Sequence, residues 1–418
     1  MSNRIRIGFV GCGGITSAHL RGLRILREAG FDDFEVGALC SRSRENAERY
    51  VERGKGPAPL PVISPSATDP LSVRDVFVRD IQDHDPRIYT DYEEMLQEGA
   101  VDALVLLSAV SAHHPVALAA MERGLHVLIE KPFALTCRAA TRMIDKAQQR
   151  GVALGVAENV RYAEGTRAAA WALRQGLIGD LQMVLAGGVG NIWSPDVIVA
   201  KTAWRHLKLE AGGGGTMDIG AHLFDRLRYV CGEIDEITAM ARTVEPTRYT
   251  RNDDGGVVEE TACDTDDTFF ALLKFANGAM GNLLFSWAGH GEATGFDGGG
   301  ALYGSGGAIK GNRLLVDAEP ERELAKAFSE EADPAEWDRF FPRGVTDAFA
   351  LELLEFLNAI EEGRQPETSG WEGLQDMAPC LAILESSSQR GTPVKIADVA
   401  ACRVEGYQRE INEHWGIE

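Results

Sequence analysis

The stretch Ile5–His19, IRIGFVGCGGITSAH, decides the fold of the first part of the chain. Residues 5–10 are an apolar run of strand length, and Gly11, Gly13 and Gly14 follow at once. A helix pattern then runs from about Ile15 to Ala29, with Leu20, Leu23 and Leu26 on one face. A first glycine permits a tight turn and a second lets a pyrophosphate approach the backbone, while the helix N-terminus supplies N–H donors and a favourable dipole. The third motif position, usually Gly or Ala for close helix–strand packing, is Thr16 here. A glycine fingerprint alone says little, but set between a strand and a helix it points to a bound dinucleotide.

Outward from this stretch, strands and helices alternate. The patterns predict a strand over 34–40, a helix over 43–53, a helix over 91–98, a strand over 101–107, a helix over 114–123 and a strand over 125–129. That alternation implies a parallel sheet covered on both faces, a doubly wound α/β fold of Rossmann type. Residues 54–70 are rich in Pro, Gly and Ser, and 54–88 reads as an insertion on this domain. The strand at 152–157 and the helix at 165–176 still alternate; then strands dominate, at 181–189, 234–244, 267–275 and 279–287. The last two join through Asn277-Gly278, a hairpin signal, so a mostly antiparallel sheet with one open face is expected. Helices return at 346–362 and 371–390. With 418 residues two domains are the default, divided here into a dinucleotide-binding domain at 1–133 and a substrate-binding and oligomerisation domain at 134–418.

The formal net charge of -21 makes nucleic acid and anionic membranes poor partners. The opening residues lack the apolar core and cleavage site of a secretory leader, and no segment has the length of a membrane span. Seven scattered cysteines, with no Cys-x-x-Cys pair, argue against a disulfide framework or a zinc site. A cytoplasmic protein with reduced thiols and no metal is the expectation.

Three further places carry chemistry. After the second strand, an NAD site usually has an acid for the ribose 2′-hydroxyl; here the sequence is Ser41-Arg42-Ser43-Arg44. Ser41 and Arg42 suit a 2′-phosphate, so NADP is slightly favoured over NAD, although an Arg there also stacks on adenine; Arg44 reads as a solvated helix residue. The strand at 125–129 runs into Glu130-Lys131-Pro132, at the strand end where open α/β sheets bind ligands. A Lys there can donate to a substrate oxygen; a surface salt bridge is the bland alternative. The third is Gly212-Gly-Gly-Gly-Thr216-Met-Asp218-Ile-Gly-Ala-His222. On a helix the four-residue spacing puts Asp218 and His222 on one face, where a carboxylate raises the basicity of an imidazole. The preceding glycines would let a ligand approach the backbone. A helix cap at Asp218 with a structural His222 is the competing reading.

A glycine fingerprint, Glu-Lys-Pro after a late strand, and Asp-x-Gly-x-His some way beyond together resemble the Gfo/Idh/MocA family of sugar and cyclitol dehydrogenases. Ser108–His113 resembles the family's Thr-Pro-Asn-x-x-His segment, with Ala109 and Val110 replacing Pro and Asn. Asn159-Val-Arg161-Tyr162, Trp204-Arg205, Asp225 and Glu385-Ser386 are also family-like. The resemblance implies that Lys131 is the catalytic lysine, His222 the proton acceptor or donor, and Asp218 a group that positions the substrate or His222. It implies cofactor contacts from Gly11, Gly13, Gly14, Ile15, Thr16, Ser41, Arg42, Ser108, His113, Glu130 and Lys131. It implies substrate contacts from Lys131, Arg161, Tyr162, Trp204, Arg205, Asp218 and His222. Trp193, Lys201 and His206 are further candidates for a polyol pocket. For His113 and His114, capping of the following helix is the bland alternative, and for Trp204, packing. The open sheet would build a homo-oligomer, a dimer or tetramer. The expected activity is hydride transfer between NAD(P) and a secondary carbinol carbon of a small polyol or sugar. Competing readings are a cofactor-retaining enzyme that cleaves or modifies glycosides through transient sugar oxidation, and a non-catalytic dinucleotide sensor.

Overall fold

The computed structural model describes residues 4–58, 60, 72, 75–190, 202–252 and 254–417. The chain divides into two compact units, one of residues 1–133, 140–162 and 341–373, the other of 134–139, 163–340 and 374–418. The first unit is therefore not confined to residues 1–133.

Its sheet has six strands: β1 (Ile5–Val10), β2 (Phe34–Cys40), β3 (Arg87–Tyr89), β4 (Ala103–Leu106), β5 (His126–Glu130) and β6 (Leu154–Ala157). They are all parallel, in the order β3-β2-β1-β4-β5-β6. The order reverses between β1 and β4, and a crevice at such a switch point is where open α/β sheets take ligands. Helices α1 (Thr16–Glu28), α2 (Arg44–Glu48), α3 (Tyr92–Gln97), α4 (His113–Glu122), α5 (Cys137–Arg150) and α6 (Asn159–Tyr162) follow the strands. On α1, Leu20, Leu23 and Leu26 are buried, each contributing about 1.5–3 kcal/mol. The face is closed by helix Ala348–Glu362, whose Ala350 backbone comes within 3.0 Å of where a Cβ on Gly22 would sit.

Two expectations are corrected here. The helix over 43–53 shrinks to α2, because the carbonyls of Tyr50 and Val51 accept from the amides of Val78 and Arg79 instead of continuing a ladder. The described end of the supposed insertion 54–88 is part of the fold. Val76, Phe77, Val78 and Ile81 are buried, and the Gln82 side chain pairs with both the amide and the carbonyl of Val36. Arg87–Tyr89 is the edge strand itself. Residues 59, 61–71 and 73–74 of that segment lie outside the described residues.

The second unit is built on a nine-stranded sheet. Its strands include β7 (Leu181–Val189) and β8 (Ile234–Arg242); β9 (Thr247–Arg251) and β10 (Val257–Ala262) form a separate hairpin. Strands β11 (Thr268–Phe275), β12 (Met280–Ser286), β13 (Thr294–Gly304), β14 (Gly307–Lys310), β15 (Arg313–Val316), β16 (Arg322–Glu323) and β17 (Val394–Lys395) complete it. The order is β16-β15-β14-β13-β7-β12-β11-β8-β17, and only β7 and β12 pair in parallel. Helices α7 (Glu164–Arg174), α8 (Lys208–Ala211), α9 (Gly215–Asp218) and α10 (Gly220–Cys231) lie in this unit. Alternation along β11 buries Phe269, Ala271 and Leu273 and exposes Phe270 and Leu272. Met183, Met240 and Met280 are exposed on the neighbouring strands β7, β8 and β12. The acidic run Glu319–Glu336 is helical in large part, and Leu324 and Phe328 anchor it in the core. No helix among the described residues is long and apolar enough to cross a membrane.

Candidate active site

Because the six strands of the first unit are parallel, the loops after β2, β1, β4 and β5 emerge side by side at one edge of the sheet. The glycine turn follows β1. Gly11 has φ +96°, and a Cβ there would lie 2.7 Å from the Leu107 carbonyl carbon, so glycine is required where the turn presses on β4. Gly13 is exposed, with nothing within 4 Å of an added Cβ. Among the described residues the amides of Gly13, Gly14 and Ile15 donate to no protein acceptor. Open donors at the start of a long helix fit the pyrophosphate of a dinucleotide. Tyr50 supports the turn from beneath, donating its hydroxyl to the Gly13 carbonyl at 2.5 Å; burial pushes its pKa up to about 12. Thr16 is fully buried and its Oγ1 reaches back to the Gly11 carbonyl at 3.4 Å, so the hydroxyl stitches the turn that Gly or Ala usually closes by smallness. Burial raises the Cys12 thiol to about 12 and the Cys40 thiol to about 11, which removes both as nucleophiles.

Past the end of β2, the Ser41 amide donates to the Tyr89 carbonyl at 3.1 Å, and Ser41 is half-buried. Arg42 is exposed and has no ion-pair partner among the described residues. At the end of β5, Lys131 is half-buried and its peptide bond to Pro132 is cis. Its amide donates to Glu130 Oε2 at 3.0 Å, while Glu130 Oε1 lies 2.9 Å from Nε2 of His19 on α1. His113 is fully buried and held by main-chain carbonyls. Its Nδ1 is 3.1 Å from Pro132 O and 3.3 Å from Phe133 O, and its Nε2 is 3.1 Å from Ser108 O. Burial lowers its pKa and favours the neutral ring. His113 thus ties the loop after β4 to the turn after Lys131, as a strut between them. Burial also pushes His114 down to about 4.

Arg161 and Tyr162, expected to touch substrate, are buried in the first unit. Arg161 donates to Glu372 Oε2 at 3.1 Å and to the Glu367 carbonyl at 3.3 Å, and the Tyr162 hydroxyl pairs with Thr368 Oγ1 at 3.3 Å. Both brace residues 367–372.

In the second unit the glycine run is filled by protein. The buried carboxylate of Asp266 accepts from the amides of Gly214 and Thr216 and from Thr216 Oγ1, each at 2.8 Å. Its backbone carbonyl takes the Gly215 amide at 2.9 Å. A Cβ on Gly214 would lie 1.7 Å from that carbonyl oxygen, and one on Gly212 2.7 Å from the Leu135 carbonyl oxygen. These glycines admit neighbouring protein, not a ligand, contrary to the sequence expectation. The single helix expected for Asp218 and His222 is also absent. Helix α9 ends at Asp218, Ile219 intervenes with φ -100° and ψ -34°, and α10 restarts at Gly220. Asp218 Oδ2 accepts from Arg205 Nε at 3.2 Å, and the Arg205 guanidinium lies 4.3 Å over the Trp204 ring. His222 is half-buried one turn further on, and His206 is buried edge-on to Trp287. The family-like Glu385-Ser386 serves packing: Glu385 accepts the Tyr407 amide and Ser386 stitches Ala239 to Thr392. Trp193 and Lys201 lie outside the described residues. Among the described residues no three acidic, His or Cys side chains form a metal cluster.

Sequence reasoning missed His19, Tyr50 and Asp266. His19 stood in the opening run as an unremarked polar residue on an otherwise apolar helix face, which is a usable signal; Asp266 lies some fifty positions from its partners and left none.

A parallel sheet in Rossmann order, with an open glycine turn at its switch point, defines a dinucleotide-binding unit. A family model described as an oxidoreductase family with an NAD-binding Rossmann fold matches residues 5–158, and one for the GFO/IDH/MocA C-terminal domain matches residues 166–310. The chain belongs to the GFO/IDH/MocA oxidoreductase family. It is 27% identical over 328 residues to a levoglucosan dehydrogenase of Pseudarthrobacter phenanthrenivorans, covering 72% of this chain and 81% of that one. It is 26% identical over 299 residues to a 1,5-anhydro-D-fructose reductase of Ensifer adhaerens, again covering 72% and 81%. A solved levoglucosan dehydrogenase in complex with NADH shares the fold with a TM-score of 0.73 at 20% identity, over 94% of this chain and 99% of that chain.

Proposed function

We propose that the chain transfers a hydride between a nicotinamide dinucleotide and a secondary hydroxyl or keto carbon of a sugar, glycoside or cyclitol. The observation that carries this is Lys131 at the C-terminal end of β5, on the same sheet edge as the open glycine turn, in a family whose relatives are named for sugar substrates. The nicotinamide, when bound, takes or supplies the hydride. The open amides of Gly13, Gly14 and Ile15 would cradle its pyrophosphate, with Gly11 and Thr16 shaping the turn, and Ser41 with the exposed Arg42 favours NADP over NAD. The Lys131 ammonium donates to the reacting oxygen and offsets the charge that develops there. His222 takes the hydroxyl proton in oxidation and returns it in reduction. Asp218 positions the substrate or the imidazole. Trp204 and Arg205 offer an aromatic face for sugar C–H groups and a cation for hydroxyls.

A panel of polyols and glycosides, followed by the absorbance of reduced nicotinamide, tests the reading. Lys131→Ala and His222→Ala should each lower turnover by about a hundredfold or more on the substrate found; near-normal turnover in either variant would remove that residue's role. The exposed face carrying Met183, Met240, Phe270, Leu272 and Met280 is proposed to pack against a second copy, since such a patch is rarely left to water. Phe270→Glu should convert the oligomer to monomer in light scattering.

A further inference from the structure

We propose that His19 is a positioning residue for Lys131: acting through the Glu130 carboxylate, it locks the helix that opens the nucleotide cradle to the backbone of the reactive lysine. The proposal rests on the role given to Lys131 above. Glu130 divides its two oxygens between two elements. Oε1 lies against His19 Nε2 on α1, at 2.9 Å, and Oε2 takes the amide of Lys131 itself, at 3.0 Å. The bond to the next residue's amide restrains the main chain where the lysine side chain departs, and the bond to α1 restrains the carboxylate. His19 has no freedom of its own. It is fully buried, edge-on to Phe349 with centroids 5.2 Å apart and to Phe9 at 6.5 Å. Its other nitrogen is 3.8 Å from Oε1 of Glu352, which is fully buried on helix Ala348–Glu362.

An imidazole and two carboxylates in a core of phenylalanine and leucine carry a desolvation cost that an apolar side chain of similar volume would not. As packing alone the arrangement is poor. It makes sense as a device that fixes direction, because buried polar groups with few permitted geometries hold a reacting group better than apolar contacts do. The chain thereby links its two cofactor-facing features, the start of α1 and Lys131, by one rigid strut.

Three variants of the full chain test this: His19→Leu fills the space without a donor, His19→Gln keeps a donor toward Glu130, and Glu130→Gln keeps shape and weakens the acceptor. The substrate-independent readout is the rate at which an amine-acylating reagent labels Lys131 as a function of pH, measured by peptide mass spectrometry relative to the other lysines. NADH and NADPH affinities, kcat and KM are measured beside it. In His19→Leu the Lys131 labelling profile should shift, and kcat should fall by about tenfold to a hundredfold with KM changed by about twofold at most, the signature of a displaced group. Glu130→Gln should follow, and His19→Gln should recover most of the loss. An unchanged labelling profile in His19→Leu, or His19→Gln as impaired as His19→Leu, would overturn the proposal. If the wild type oxidises no polyol, the functional reading fails, and the labelling profiles still decide the role of His19.

Discussion

Two glycine runs in this chain look alike on paper and do opposite things. Gly11–Thr16 and Gly212–Thr216 each string glycines together, end on a buried threonine and open a helix. In the first, the amides of Gly13, Gly14 and Ile15 have no acceptor among the described residues, and nothing lies within 4 Å of a Cβ added at Gly13. In the second, Asp266 has taken the amides of Gly214, Gly215 and Thr216, and backbone stands where side chains would be. One run keeps its amides open; the other has its acceptor built in. Glycine therefore signals close approach without saying of what, and the partner must be found before a run is assigned to a ligand.

The comparison breaks most easily at Gly214. With only 1.7 Å between an added Cβ and the Asp266 carbonyl oxygen, Gly214→Ala should cost about 3 kcal/mol or more, read from chemical denaturation. A wild-type midpoint would mean that the run is not filled. Next is Asp266→Ala, which strands two amides and a hydroxyl and should cost about 3 kcal/mol. The same change at the open run should behave differently. Gly13→Ala should leave stability within about 0.5 kcal/mol and raise the dinucleotide Kd about tenfold in calorimetry, a change of about 1.4 kcal/mol. If Gly13→Ala lost stability and kept its affinity, the contrast would be reversed. Arg42→Ala should weaken NADP about tenfold and NAD much less; equal affinities for both would remove the preference.

The smallest effect is a pH dependence confined to the filled run. Burial, outweighing the three donors, holds the Asp266 carboxyl above its ordinary value. The folded chain then keeps that proton more tightly than the unfolded chain. Stability contributed by the protonated form is full below about pH 4, the unfolded value, and is lost as pH rises through the raised folded value. Asp266→Asn should flatten that part of the denaturation-midpoint profile, and an unchanged slope would assign it elsewhere.

Much of the first unit was legible. The strands β1 and β2, the helix α1 and the glycine turn follow from apolar periodicity and glycine placement, which are local signals. What failed was non-local or short. Strand β3 is three residues, Arg87-Ile88-Tyr89, too few to show a period, and it reads as strand only because β2 lies beside it. Strand β13 runs through the glycine-rich Thr294–Gly304 against propensity, held by pairing with β7 and β14. At the site, Lys131 and the Asp218–His222 cluster were visible as motifs, but the one-residue interruption at Ile219 between two helices was not. The partners of Arg161 and Tyr162 at 367–372 left no local signal, because they lie 206 positions away in the chain.

Those late residues have a consequence for how the protein is made. The buried face of α1, with His19 and Gly22 on it, is closed by Phe349, Ala350 and Leu353 of a helix that begins at Ala348. At cellular translation speeds that helix leaves the ribosome on the order of tens of seconds after α1. For that interval the nucleotide helix has an uncovered apolar flank, and the first domain to be synthesised is among the last to be finished. Nascent chains stopped before residue 348 should therefore depend on chaperones and bind no dinucleotide.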